Sequence, residues 1–277
     1  MIPLEVIEEC KNILEKENIS FIDNSKFTKL SPDNKRISFV DGGNAEIFGT
    51  KNLSVQFMRV AHCTYEGTLR VEHKRKEFFA IIKFDEKSSF ELYNYEFFMP
   101  PVEVESVEQG VDLLRRCIEL DYARKLNEEI IMIDGSLECH FEKEKELMNN
   151  KFIGLSKTTE KGAYIRDIVK NSPSGCWHYP LSKKTSIIKL HPKSAYVFRI
   201  DSFESSVDAS EGLLSLSKDP AFLGYPYGLV FVDLMARIRE EEKTVLQSYF
   251  FSKYGKDIQK HQNLVNAHEI LNKAIGR

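Results

Sequence analysis

The sequence predicts an α/β fold: a mixed sheet flanked by helices, with a helical C-terminal portion. Three observations carry that prediction. Apolar residues alternate with polar ones through the stretch from Ile37 to Phe84, the mark of half-buried antiparallel strands. Val107, Val111, Leu114, Ile118 and Tyr122 then recur at helical spacing. Directly after that helix comes a short apolar run, Ile130 to Ile133, bounded by an Asp-Gly pair.

The elements follow in order. Residues 1 to about 30 read as a helix and a polar connector, because Ile7, Cys10, Ile13 and Leu14 share one helical face. Ile37 and Phe39, then Leu53, Val55 and Phe57, then Phe79 and Ile81 mark a three-stranded meander. Its turns are expected at Asp41-Gly-Gly-Asn44 and His73-Lys-Arg-Lys76. Ser106 with Gln109 forms a capping box, so a helix starts at about 107 and runs to about 126. Further strands are expected at Phe152 to Leu155, Ile187 to Leu190 and Tyr196 to Ile200, with a polar segment that carries the only tryptophan, Trp177, between the first two. Helices are expected from Pro226 to Glu241, in turns reaching Tyr254, and from Ile258 to Ala274. Three antiparallel strands, a crossover helix and a further strand is the order of the ribonuclease H-like fold.

Composition bounds the function. A chain of 277 residues with 42% hydrophobic and 29% charged residues can bury a sizeable core, and its length fits one large α/β domain or one domain with an appended subdomain. The five cysteines, at positions 10, 63, 117, 139 and 176, are odd in number and form no CxxC pair. That pattern argues against a disulfide framework or a zinc knuckle and fits a reducing cytoplasm. The start, Met1-Ile-Pro-Leu-Glu5, lacks signal-peptide order, and no apolar run approaches the roughly 18 residues of a membrane span, so a cytoplasmic protein away from membranes is expected. A formal net charge of −3 leaves any grip on nucleic acid to local clusters such as Arg70, His73, Lys74, Arg75 and Lys76, or Lys183 and Lys184. Such runs are also common on solvated hairpin tips.

The chemistry-bearing residues are carboxylates. Arg36-Ile-Ser-Phe-Val-Asp41-Gly42-Gly43 and Glu129-Ile-Ile-Met-Ile-Asp134-Gly135-Ser136 each end an apolar strand with Asp-Gly. An aspartate there is held by the sheet beside a glycine turn, and two of them converge if their strands lie close. Alone, either pair reads simply as a turn. Glu119 lies on the helix between them, though Arg115, four residues earlier, offers it an ordinary surface ion pair. Asp41, Glu119 and Asp134 would supply the oxygen ligands that Mg²⁺ or Mn²⁺ needs for phosphodiester hydrolysis at a two-metal site. His268 falls on the apolar face of the last helix with Leu264, Ala267, Leu271, Ala274 and Ile275; it suits either a core histidine or a Mn²⁺ ligand. Lys157, at a strand end, could contact a scissile phosphate. Gly224-Tyr-Pro-Tyr-Gly228 reads as a structural corner, with stacking on single-stranded bases as its other use. No GxSxG, GxxxxGK[ST], GxGxxG or HExxH occurs, which removes the common hydrolase, P-loop, dinucleotide and zincin classes.

Taken as an ordered set, Phe39-Val-Asp-Gly-Gly43, Arg116-Cys-Ile-Glu-Leu-Asp-Tyr-Ala123, Ile131-Met-Ile-Asp-Gly-Ser136, Ile153-Gly-Leu-Ser-Lys-Thr158, Gly224-Tyr-Pro-Tyr227 and His268 resemble the NurA nuclease family from about residue 36 to 272. The resemblance implies a ribonuclease H-like nuclease domain over 31–277 behind an N-terminal helix and connector over 1–30. It implies a homodimeric, Mn²⁺-dependent deoxyribonuclease, with 5′ to 3′ exonuclease and single-strand endonuclease activity. Such an enzyme acts in archaeal DNA double-strand break repair, resecting ends for homologous recombination beside the hexameric HerA ATPase. Position by position, it makes Asp41, Glu119, Asp134 and His268 the metal ligands. The first motif departs from the typical Asp-Gly-Ser by reading Asp-Gly-Gly, which removes a hydroxyl at Gly43. Two other function classes fit part of the pattern. An actin-like ATP-binding fold would use both Asp-Gly pairs at phosphates and Mg²⁺, and a degenerate ribonuclease H-like module would only bind a partner.

Overall fold

The structure is a computed structural model that describes residues 22–157, 162–204 and 206–253, together with residues 3, 4, 6 and 8. Its frame is a mixed ten-stranded sheet with the order β1-β8-β9-β10-β7-β6-β2-β3-β4-β5. The meander comes first: β2 (Arg36–Thr50), β3 (Leu53–Glu66), β4 (Leu69–Phe84) and β5 (Ser88–Tyr93) pair antiparallel in succession. Helix α1 (Val107–Arg124) then crosses the sheet, its Ser106 side chain accepting from the Gln109 N–H as the sequence predicts. It delivers β6 (Ile130–Asp134) parallel to β2, with Val40 opposite Ile133. After a short helix α2 (Glu142–Leu147), β7 (Phe152–Ser156) adds parallel to β6. Helix α3 (Gly162–Asn171) leads to β8 (Trp177–Pro180), β9 (Thr185–Lys189) and β10 (Phe198–Ser202), the last antiparallel to both β9 and β7. β1 (Thr28–Lys29) closes that edge against β8. Helices α4 (Ser206–Leu214), α5 (Tyr227–Ala236) and a helical run over 240–253 follow. This is the predicted ribonuclease H-like arrangement. Among the described residues no helix is long and apolar enough to cross a membrane.

Strand alternation splits the core into two layers. Val40, Val60, Ile131 and Ile133 face α1, where Leu114, Cys117 and Ile118 cover them. Phe39, Ala61, Met132 and Leu155 face the other way, onto Leu213 of α4 and Leu229 and Val232 of α5. A third cluster joins Trp177 and Tyr179 to Ile165 and Ile168 of α3, so the tryptophan predicted within a polar segment is a fully buried strand residue.

The meander departs from its predicted turns. Asp41–Asn44 and His73–Lys76 lie inside continuous strands, and the chain reverses instead at 51–52 and 67–68. Asp41 is therefore a mid-strand residue. The glycines there answer a need for space: a Cβ on Gly43 would lie 2.2 Å from the Ala236 carbonyl oxygen, where the end of α5 presses onto β2. The Asp-Gly-Gly departure thus follows from packing, since no side chain fits at position 43. The N-terminal helix with Ile7, Cys10, Ile13 and Leu14, and the C-terminal helix with His268, lie outside the described residues.

Gly43→Ser should consequently lower stability by about 1–3 kcal/mol, the scale of overpacking against backbone. A thermal melt checks this, and an unchanged midpoint would show that α5 does not press on β2 as described.

Candidate metal and phosphodiester site

The site forms where β2 and β6 run side by side. Two residues beyond Phe39 and Met132, Asp41 and Asp134 continue the face that packs α5, so both carboxylates project on one side of adjacent strands. Their glycine neighbours serve different needs. Gly135 has φ +97°, a left-handed conformation with open space around it, so β6 ends in a true turn. Gly42 stays in the strand, and a Cβ there would meet Glu119 Oε1 at 2.8 Å. The glycine opens a notch in the sheet through which Glu119 reaches from α1 on the opposite face.

Glu119 is 3% exposed, and a buried carboxylate of this kind needs partners. Arg115 Nη1 donates to Oε1 at 2.5 Å and Arg116 Nη1 stands 3.6 Å from Oε2. Both arginines also bind the Asp-Gly segments: Arg115 Nη1 donates to the Gly42 carbonyl at 3.4 Å, and Arg116 Nη2 to the Ser136 carbonyl at 2.6 Å. One turn of α1 therefore ties both motifs together. The i,i+4 pair predicted from spacing is real, but it is buried and sits inside the site. Arg115 is held above its ordinary pKa, first by the Glu119 charge and also by Asp41.

Asp41 pays the electrostatic cost. Burial first, then the Glu119 charge and more weakly Asp134, push its carboxyl up to about 7, against the Gly42 N–H that donates to its Oδ1 at 2.8 Å. Asp134 is held by Lys157, whose Nζ donates to Oδ2 at 3.1 Å, and by the Tyr225 hydroxyl, which donates to Oδ1 at 3.3 Å. Burial and then Asp134 raise the Tyr225 pKa, keeping that hydroxyl a proton donor. Beyond the turn, Asp201 on β10 accepts from Ser136 Oγ at 3.1 Å, Leu137 N–H at 3.3 Å and Arg199 Nε at 2.9 Å, which pins the loop after β6.

The donor chemistry fits a hard divalent cation. Three carboxylates supply only oxygen, and the repulsion that raises Asp41 is what a cation would relieve. Among the described residues no three His, Cys, Asp or Glu side chains close around one point; Glu119 is turned to Arg115 and Asp134 to Lys157. The structure thus brings together Asp41, Glu119, Asp134 and Lys157, while His268 lies outside the described residues. Sequence reasoning did not assign Arg116, Asp201 or Tyr225 to the site. Arg116 lies three residues before Glu119, one helical turn away, which was the available signal; Asp201 carried none, because only tertiary pairing brings β10 to the loop after β6. The Gly224–Gly228 motif is the predicted corner, with Gly224 at φ +90°, but it also aims Tyr225 at Asp134. Both Asp-Gly pairs belong to neighbouring strands of one sheet and the first is no turn, which does not match the separate halves of an actin-like fold.

The fold is ribonuclease H-like, with Asp41, Glu119 and Asp134 carried on β2, α1 and β6. Among solved structures, the chain is similar to the NurA nuclease from Sulfolobus solfataricus, with a TM-score of 0.61 over 92% of this chain and 95% of that one at 13% identity. A second NurA structure aligns at a TM-score of 0.52, covering 86% and 93% of the two chains at 10% identity. The fold is thus shared over nearly the full length of both. No protein-family model and no curated protein matches the sequence.

Asp41 predicts a signed pH effect. The unfolded carboxyl loses its proton near 3.8 and the folded one near 7, so the folded state binds more protons between those values and stability falls as pH rises through that window. Asp41→Asn removes this titration. In metal-free buffer the melting temperature of the unsubstituted protein should drop relative to that of the variant between about pH 4 and 7, levelling above. Parallel curves would contradict the assigned environment.

Proposed function

We propose that this protein is a metal-dependent deoxyribonuclease that hydrolyses phosphodiesters at Asp41, Glu119 and Asp134. The observation that carries the proposal is the placement of three carboxylates, from β2, α1 and β6 of a ribonuclease H-like sheet, near enough that Glu119 and Asp134 both act on the Asp41 charge. Asp41, Glu119 and Asp134 would hold Mn²⁺ or Mg²⁺. When bound, such an ion supplies Lewis acidity toward phosphoryl oxygens and eases deprotonation of an attacking water. The chain's own groups do the remaining work. Lys157, now on Asp134, is placed to meet a phosphate as a point charge once the carboxylate turns to its ligand. Tyr225 orients Asp134, and Arg115 and Arg116 hold the Glu119 carboxylate over Gly42.

The finer assignment extends the proposal: end resection by a cytoplasmic homodimer beside a HerA-type hexameric ATPase, with His268 as a further ligand. The shared fold of the NurA structures and the ordered motif resemblance support it. A motor that grips DNA would also suit a chain of net charge −3.

Purified protein incubated with end-labelled DNA should cut it in Mn²⁺ and not in EDTA. Asp41→Asn, Glu119→Gln and Asp134→Asn should each fold and lose at least about 10²-fold in rate, the scale of one electrostatic contact to a transition state. Wild-type rates in the Asp41 or Asp134 variant would sink the site assignment.

A further inference from the structure

An open groove of about 610 Å³ starts at the candidate site and leaves it along the far side of β10. Lys157 and Tyr225, the two partners of Asp134, form its inner end. Its outer walls are the segment 193–198 that precedes β10 and the 3₁₀ turn Pro220–Phe222. Two large side chains in these walls are turned to solvent, Tyr196 at 70% and Phe222 at 45% exposure. Lys193 lies beside Tyr196, and the lining carries Lys157 and Lys193 with no carboxylate among the described residues.

Single exposed aromatics are ordinary, but Tyr196 and Phe222 share one groove, and grouped apolar area of this kind marks an interaction site. Here they share with Lys157 and Lys193 a channel that ends at a candidate phosphodiester site. Aromatic faces take unpaired bases by stacking, while lysines follow the phosphates, and duplex bases offer no free face to such a wall. The walls are also held in place. The Asp219 side chain accepts from the Ala221 N–H at 2.8 Å, and Ser194 Oγ accepts from the Tyr196 N–H at 3.1 Å. The inner end is ordered too: the Lys157 ammonium stands 4.9 Å over the Tyr225 ring, which packs on Phe198 with centroids 5.5 Å apart. That leaves Tyr196 and Phe222 as the rings presented outward.

We propose that this groove is a stacking platform for single-stranded DNA, with unpaired bases on Tyr196 and Phe222 and the backbone led past Lys193 to Lys157. The proposal deepens the nuclease reading and rests on it for the direction of the strand. It gives the site a preference for unpaired over paired DNA.

Fluorescence anisotropy with labelled oligothymidylate in EDTA tests it on the full chain, without cleavage. Tyr196→Ala combined with Phe222→Ala should weaken binding by about 5- to 100-fold with an unaltered melting temperature, and Tyr196→Phe should stay within about twofold of the unsubstituted protein. An unlabelled duplex should compete poorly. Unchanged affinity in the double alanine variant, loss of binding in Tyr196→Phe, or equal competition by duplex would each overturn the platform. Because the titration is independent of hydrolysis, it decides the groove whether or not the unsubstituted protein cuts DNA in Mn²⁺. Failure of this proposal and failure of the nuclease reading are thereby read separately.

Discussion

The site depends on one contact, the seating of the Glu119 carboxylate over the bare Cα of Gly42. A sheet normally keeps its two faces apart, and here Asp41 and Asp134 belong to the face under α5 while Glu119 comes from α1 on the other. Removing one side chain from β2 lets the glutamate settle directly on the strand, where that side chain would stand. The approach is costly, because it brings a buried anion against Asp41 and raises that proton affinity. Arg115 offsets the cost with a charge-assisted hydrogen bond and Arg116 with an ion pair at 3.6 Å. The same arginines hold the Gly42 and Ser136 carbonyls, so the electrostatic repair also fixes the spacing of the two aspartate-bearing strands.

This arrangement makes the fold and the chemistry inseparable. The parallel pairing of β2 with β6 sets Asp41 and Asp134 side by side, and the crossover helix that parallel pairing requires is the element that carries Glu119. α5 presses on the opposite face at Gly43, and the corner before it supplies Tyr225 to Asp134. Glu119 and Asp134 thus have cationic or hydroxyl partners, and Asp41 has the Gly42 N–H. Such pairing keeps like charges near one another without a bound ion, and those partners must yield if a cation is to take their place.

Much of this was legible in the sequence. Alternation, helical spacing and the Ser106 cap gave the order of meander, crossover helix and parallel strand, because each is a local signal. The two Asp-Gly pairs were visible as well, but only one behaves as its local chemistry suggests. Gly135 makes the turn that Asp-Gly predicts; Gly42 and Gly43 are there for the approach of α1 and α5, a tertiary demand with no local signature. Strands were misjudged for the same reason, since polar residues at Asp41–Asn44 and His73–Lys76 imitate turns within strands of 15 and 16 residues. Glu119 could not be told from a surface ion pair by spacing alone, because Arg115 is its partner in either case. Short β8 and β1 carry too few residues for periodicity to register, and their places are set by pairing with neighbours already formed.

The central claim is that the Gly42 notch, by admitting Glu119, completes a cation site. Calorimetric titration of Mn²⁺ into the DNA-free protein and into its Gly42→Ala variant tests it most directly. A methyl at position 42 would meet Glu119 Oε1 at 2.8 Å and Cγ at 2.9 Å, so the carboxylate must give up its seat. The account predicts binding by the unsubstituted protein and at least about tenfold weaker binding by a Gly42→Ala variant that melts cooperatively, roughly the free energy of one lost charge-assisted contact. Equal Mn²⁺ affinity in the two proteins would contradict it.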